Sequence, residues 1–75
     1  MLQIKNGDPV RFSGDLEPLL TGLPAEEIKV IREGIMRQPF RVVALRTDGS
    51  AEVELSLAHE THFFHVNAAD LQLIV

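Results

Sequence analysis

Apolar and polar positions alternate at a period of two through much of the chain's second half, the pattern of strands with one buried and one wet face. In Ala51 to Leu57, Val53, Leu55 and Leu57 fall on one side and Glu52, Glu54 and Ser56 on the other. Phe40 to Arg46 before it is rich in β-branched and aromatic residues, and Thr47-Asp48-Gly49-Ser50 between the two is an Asp-Gly hairpin signal. A fourth strand is predicted over His62 to Val66. Asn67-Ala68-Ala69-Asp70 then reads as a short 3₁₀ turn, and Leu71 to Val75 as a fifth strand with Leu71 and Leu73 facing inward. Near the chain's start, Leu2, Ile4, Val10 and Phe12 alternate with polar residues around the turn formers Asn6-Gly7-Asp8-Pro9. Pro9 cannot donate to a ladder, so it is expected at a strand's first position or on an edge.

Between the first strand and Phe40 the period changes. Ser13 to Gly22 has no sustained repeat and is predicted as a loop, with Leu16, Leu19 and Leu20 tucking it onto the core. Leu23-Pro24-Ala25-Glu26-Glu27 opens a helix: proline in the first turn loses no needed N–H, and two acids sit at the positive end of the helix dipole. Ile28, Ile31 and Ile35 recur at helical spacing while Glu26, Lys29 and Glu33 fall elsewhere on the wheel, and Gly34 is the expected stop. The helix is thus predicted over about residues 24–34.

The hairpin allows two registers, and a slip of one residue exchanges the faces. With a two-residue loop at Asp48-Gly49, Ala44, Val42 and Phe40 oppose Val53, Leu55 and Leu57, leaving Val43 and Leu45 beside the glutamates. With a three-residue loop and a bulge, Leu45 and Val43 oppose Ala51 and Val53, leaving Phe40 and Val42 on the glutamate side. Either way two large apolar residues need cover, from the helix, from the folding over of the sheet, or from another chain.

The predicted fold class is mainly β, a five-stranded, strongly bent barrel with one short inserted helix, as a single domain over 1–75. At 45% hydrophobic and 24% charged residues the chain belongs with globular rather than disordered sequences. There is no cysteine, so neither a disulfide nor a thiolate metal site supplements the ~4–11 kcal/mol expected of a domain this small. The first residues carry no basic and apolar leader pattern, and no stretch approaches 18 apolar residues, so a cytoplasmic protein without a membrane span is expected. A net charge of −4 disfavours a phosphate backbone unless the basic residues share one face.

The Gly-Asp-x-Val-Arg-Phe opening (Gly7 to Phe12), the hairpin with its Asp-Gly tip, the short strand, the helical turn and the final Asp-Leu-x-Leu-Ile strand resemble the SH3-like small barrels of bacterial accessory subunits. Comparable barrels are the variable chain of ferredoxin–thioredoxin reductase and the small stromal subunit of photosystem I. The chain also resembles small bacterial proteins of unknown function with a glycine-leucine-proline-acidic helix inserted after the first strand. The resemblance covers most of the chain outside residues 13–38 and implies a fold and an accessory role, not an activity. With neither Trp nor Tyr, the chain lacks the aromatic groove with which signalling SH3 domains hold proline-rich peptides.

The chemistry within reach is sparse. No Ser/His/Asp order, cysteine nucleophile or phosphate-cradling glycine loop is present, so the chain is not expected to be an enzyme, and no cofactor is expected. His59, His62 and His65, with Glu60, form the one cluster of metal-ligand types. On a strand His62 and His65 point to opposite faces, which makes them weak candidates. Lys5, Arg11, Arg37, Arg41 and Arg46 could form a basic stripe for nucleic acid, but cross-strand ion pairs with Glu52 and Glu54 are the simpler reading. The leading expectation is a non-catalytic module contacting another protein or a second copy of itself, through Phe40, Val43, Leu45, Phe63, Phe64 and His65. Phe63 and Phe64 must face opposite sides, so one belongs to the core and the other to the contact surface.

Overall fold

A computed structural model describes residues 3–74. Met1, Leu2 and Val75, parts of the predicted first and last strand segments, lie outside the described residues. In chain order the elements are β1 (Pro9–Phe12), α1 (Glu17–Leu20), α2 (Ala25–Arg37), β2 (Phe40–Leu45), β3 (Ser50–Ser56), β4 (Thr61–Asn67), a 3₁₀ turn (Ala68–Asp70) and β5 (Leu71–Leu73). The strands form one antiparallel sheet of order β4-β3-β2-β1-β5. Among the described residues no ladder joins β4 to β5, so the sheet is not closed.

Pro9 occupies the first position of β1, where its carbonyl accepts from Ile74 N–H at 3.1 Å and its missing N–H forgoes only the reciprocal bond at the ladder's end. Two expectations for the insert are corrected. The segment predicted as a loop contains the single turn α1, whose Glu17 amide is received by Asp15 Oδ1 at 3.0 Å, and Leu20 enters the core while Leu16 and Leu19 pack against it. Helix α2 runs three residues past Gly34, which is buried inside it. The reason is close approach. A Cβ at Gly34 would collide with Leu57 Cδ2 and lie 3.4 Å from Leu55 Cδ2, so a glycine lets the helix backbone settle onto β3. Ile31, one turn earlier on the same face, is fully buried.

The β2–β3 hairpin follows neither register throughout. Arg46 N–H donates to Ser50 at 2.9 Å, leaving Thr47-Asp48-Gly49 as a three-residue loop, and Leu45 opposes Ala51. One step on, Val43 is inserted as a bulge, so Val42 opposes Val53 and Arg41 opposes Glu54. The extra residue returns Val42 and Phe40 to the face of Ala51, Val53 and Leu55, where all five are buried. The expectation that two large apolar residues of this strand need cover on the glutamate side is thereby corrected: Val43 itself, 37% exposed, is what remains. Helix α2 covers the same inner face of the sheet rather than the second face of β2.

The tip of the hairpin is held by Asp48, whose Oδ1 accepts from the Ser50 hydroxyl at 2.6 Å and from the Ser50 amide at 2.9 Å. These bonds, the hydroxyl first, hold its carboxyl below the usual carboxylate range. Any stability they add is present above the unfolded pKa and lost as pH falls through the lowered one. The 3₁₀ turn forms where the sequence places it, capped by Asn67 Oδ1 accepting from Ala69 N–H at 3.0 Å, and leads into β5 with Leu71 buried.

Substituting Gly34→Leu is expected to lower unfolding free energy in urea by about 1–3 kcal/mol, because the added atoms must displace Leu57 and Leu55. Gly34→Ala should cost less, since the gain of about 1 kcal/mol in helix propensity opposes a clash that one flexible side chain can partly relieve.

Candidate functional site

The outer face of the sheet is built by cross-strand pairs. Phe63 opposes Glu54, which opposes Arg41; His65 opposes Glu52, which opposes Ala44 beside the bulged Val43. Glu52 lies between two partners, 3.6 Å from Arg46 Nη2 and 3.8 Å from His65 Nε2. Arg41 turns instead to the Gly7 carbonyl, donating at 2.6 Å, and Arg32 pairs with Glu17 at 2.6 Å. Such exposed pairs are worth at most about 1 kcal/mol each, and of the residues in the expected basic stripe these contacts engage Arg41 and Arg46.

The six expected contact residues do not form one surface. Phe40 and Phe64 are core residues, 3% and 9% exposed, their rings meeting edge-to-face at a centroid distance of 5.8 Å. The bulge in β2 and the inward phase of β4 put them there, and neither is open to a partner in this fold. Leu45, 40% exposed, shares a register position with Ala51 and so belongs to the inner side at the sheet's end. Phe63 and His65 remain together on the outer side, with Phe63 56% exposed.

Strand β4 is an edge. Over seven residues, Thr-His-Phe-Phe-His-Val-Asn, it carries no Lys, Pro or carboxylate, the devices that normally blunt an edge strand. Its ladder phase is set at both ends: Leu57 N–H donates to the Glu60 carbonyl at 2.8 Å and Ala68 N–H to the Gly49 carbonyl at 2.9 Å. Counting by twos between those bonds, the backbone groups of His62, Phe64 and Val66 address β3, and those of Thr61, Phe63, His65 and Asn67 address the open edge. Among the described residues no backbone hydrogen bond joins that edge to another element.

The histidines do not converge. His59 is exposed in the β3–β4 turn, His65 lies on the outer face, and His62 points inward, where its ring stacks on Phe64 with centroids 6.4 Å apart. His62 meets different company: Glu60 and Glu27, the latter half-buried in the first turn of α2. A second feature absent from the sequence reading is Met36. Taking Gly34 as the helix end hid it; in the structure it is 88% exposed beside a groove of 470 Å³ whose lining includes Phe12, Ile35, Phe40 and Ile74.

Among the described residues no helix is long and apolar enough to cross a membrane. No protein-family model matches the chain, and no similar curated protein or solved structure is found.

The opposite roles of the adjacent phenylalanines have a direct consequence. Phe64→Ala is expected to cost about 3–5 kcal/mol in chemical denaturation, whereas Phe63→Ala should change monomer stability by no more than about 0.5 kcal/mol.

Proposed function

We propose that this chain is a small, non-catalytic protein-interaction module of the SH3-like kind, and that its contact element is the free edge of β4. The fold reading is supported by the strand order: in β4-β3-β2-β1-β5 the one pairing missing from a closed five-stranded barrel is β4 with β5, and the 3₁₀ turn directly connects those two strands. The observation that carries the contact reading is the unblunted seven-residue edge with Phe63 exposed on it. Such an edge takes a further strand, whose backbone supplies affinity and whose alternate side chains supply specificity.

The strand it fits is a second copy of itself. An antiparallel pair centred on Phe64 sets Phe63 opposite the partner's His65 and Thr61 opposite the partner's Asn67. These are the residues whose backbone groups address the open edge, so ladder phase and two-fold symmetry agree. Across that pair the outer face joins an aromatic ring to an imidazole, and with neutral histidines no charge opposes a like charge. The result is one continuous sheet through two chains.

Light scattering on a size-exclusion column tests this across protein concentration. The wild-type chain is expected to form a dimer on concentration. His65→Pro, which deletes an edge-facing donor without touching the β3–β4 ladder, and Phe63→Lys should each weaken it at least roughly ten-fold, about 1.4 kcal/mol, while the circular dichroism of the monomer is retained. A chain that stays monomeric at its highest soluble concentration excludes the second copy as occupant. Dimers unaffected by either substitution would place the interface elsewhere.

A further inference from the structure

We propose that Glu27, Glu60 and His62 form a binding site for a divalent first-row transition metal of the zinc type. The three come from separate segments, the first turn of α2, the β3–β4 turn and the inner face of β4, and their ligand atoms lie within 4.8 Å of one another. Nothing in the local sequence requires this convergence. Glu27 stands four residues before Ile31 and seven before Gly34, on the helix stripe that packs against the sheet. A carboxylate thus sits where that stripe would otherwise carry an apolar side chain.

The imidazole is the strongest sign of a ligand site. His62 Nε2 is buried and, among the described residues, has no hydrogen-bond partner, although Glu60 Oε1 is 3.3 Å away. A buried polar atom left without a partner is destabilising, and metal coordination through its lone pair would remove that penalty. The ring is also held in place, with its side chain only 14% exposed and stacked on Phe64. The separation suits a shared ion: with metal–nitrogen and metal–oxygen bonds of about 2.0–2.2 Å, two ligands at the corners of a tetrahedron stand about 3.4 Å apart. Small rotations of the two glutamate side chains bring the third corner in.

Charge and access agree with this. Two carboxylates and a neutral imidazole offer a net −2 to a dication, and the nitrogen ligand favours zinc-like ions over magnesium or calcium, which take oxygen. Glu60 is half-exposed and lines an open groove of 720 Å³ between the later turns of α2 and the β3–β4 turn, so the site meets solvent on the Glu60 side. A bound ion would tie the start of α2 to the sheet at the end opposite its C-terminal turn. This site stands apart from the β4 edge proposal, because His62 uses its inner-face side chain and the edge uses backbone groups of its neighbours.

The test is a titration of the full chain with zinc chloride, followed by histidine ring nitrogen NMR and by calorimetry. One ion per chain is expected, with the His62 Nε2 signal moving and those of His59 and His65 staying in place. The melting temperature should rise by about 10–20 °C at zinc one hundred-fold above Kd. Glu27→Gln and Glu60→Gln, both at positions that tolerate a neutral isostere, should weaken binding at least ten-fold and leave the metal-free fold intact by circular dichroism. His59→Gln and His65→Gln should bind zinc as the wild type does. An unmoved His62 signal overturns the proposal, as does zinc affinity that survives Glu27→Gln but is lost with His59 or His65.

Discussion

The inserted residue in β2 governs the rest of the structure. By standing outside the ladder, Val43 shifts the pairing of β2 with β3 by one position, and a shift of one position in a strand exchanges its faces. Phe40 and Val42 therefore join Ala51, Val53 and Leu55 on a single inner face, while Leu45 keeps its own place beside Ala51. Without the bulge, either register would leave two large apolar side chains on the face that carries Glu52 and Glu54. With it, one face of the sheet is dry and the other is wet. The edge-to-face pair of Phe40 and Phe64 spans the inner face across β3, so the same insertion links the middle of the sheet to its edge.

Helix α2 completes that inner layer by coming close rather than by presenting bulk. Gly34 lets its backbone rest on Leu55 and Leu57, and Ile31 fills the core one turn earlier. Close seating has a second effect one turn further toward the helix start. It carries the Glu27 carboxylate down to the level of the β3–β4 turn, where Glu60 and the buried face of His62 meet it. The polar cluster is thus a product of helix–sheet packing, and its geometry depends on the glycine that permits that packing.

Strand β4 divides its residues between two kinds of work. Phe64, Val66 and His62 belong to the interior, and their backbone groups are committed to β3. Phe63 and His65 belong to the outside, and their backbone groups face the open edge. An edge strand without charge or proline is normally a hazard, because it is a template for any passing strand. The proposed self-pairing would occupy this edge, and the near-palindromic spacing around Phe64 is what suits it to a second copy.

Periods of two and of 3.6 in the sequence, with the turn formers between them, determined the five strands, the main helix, the 3₁₀ turn at Ala68 and the position of Pro9, because those signals depend on neighbours within a few residues. The same local logic determined that Phe63 and Phe64 point opposite ways, and that His62 and His65 do too. Tertiary structure alone decided which phenylalanine is the outer one, since that depends on how β4 is phased against β3. It also decided the bulge, whose benefit lies in burying Phe40 and Val42 against residues far along the chain. Gly34 reads locally as a helix stop, but contact with Leu57, 23 positions later, makes it a packing site. Glu27 reads locally as a dipole partner; only the docking of the helix brings it, across more than 30 residues of chain, to Glu60 and His62.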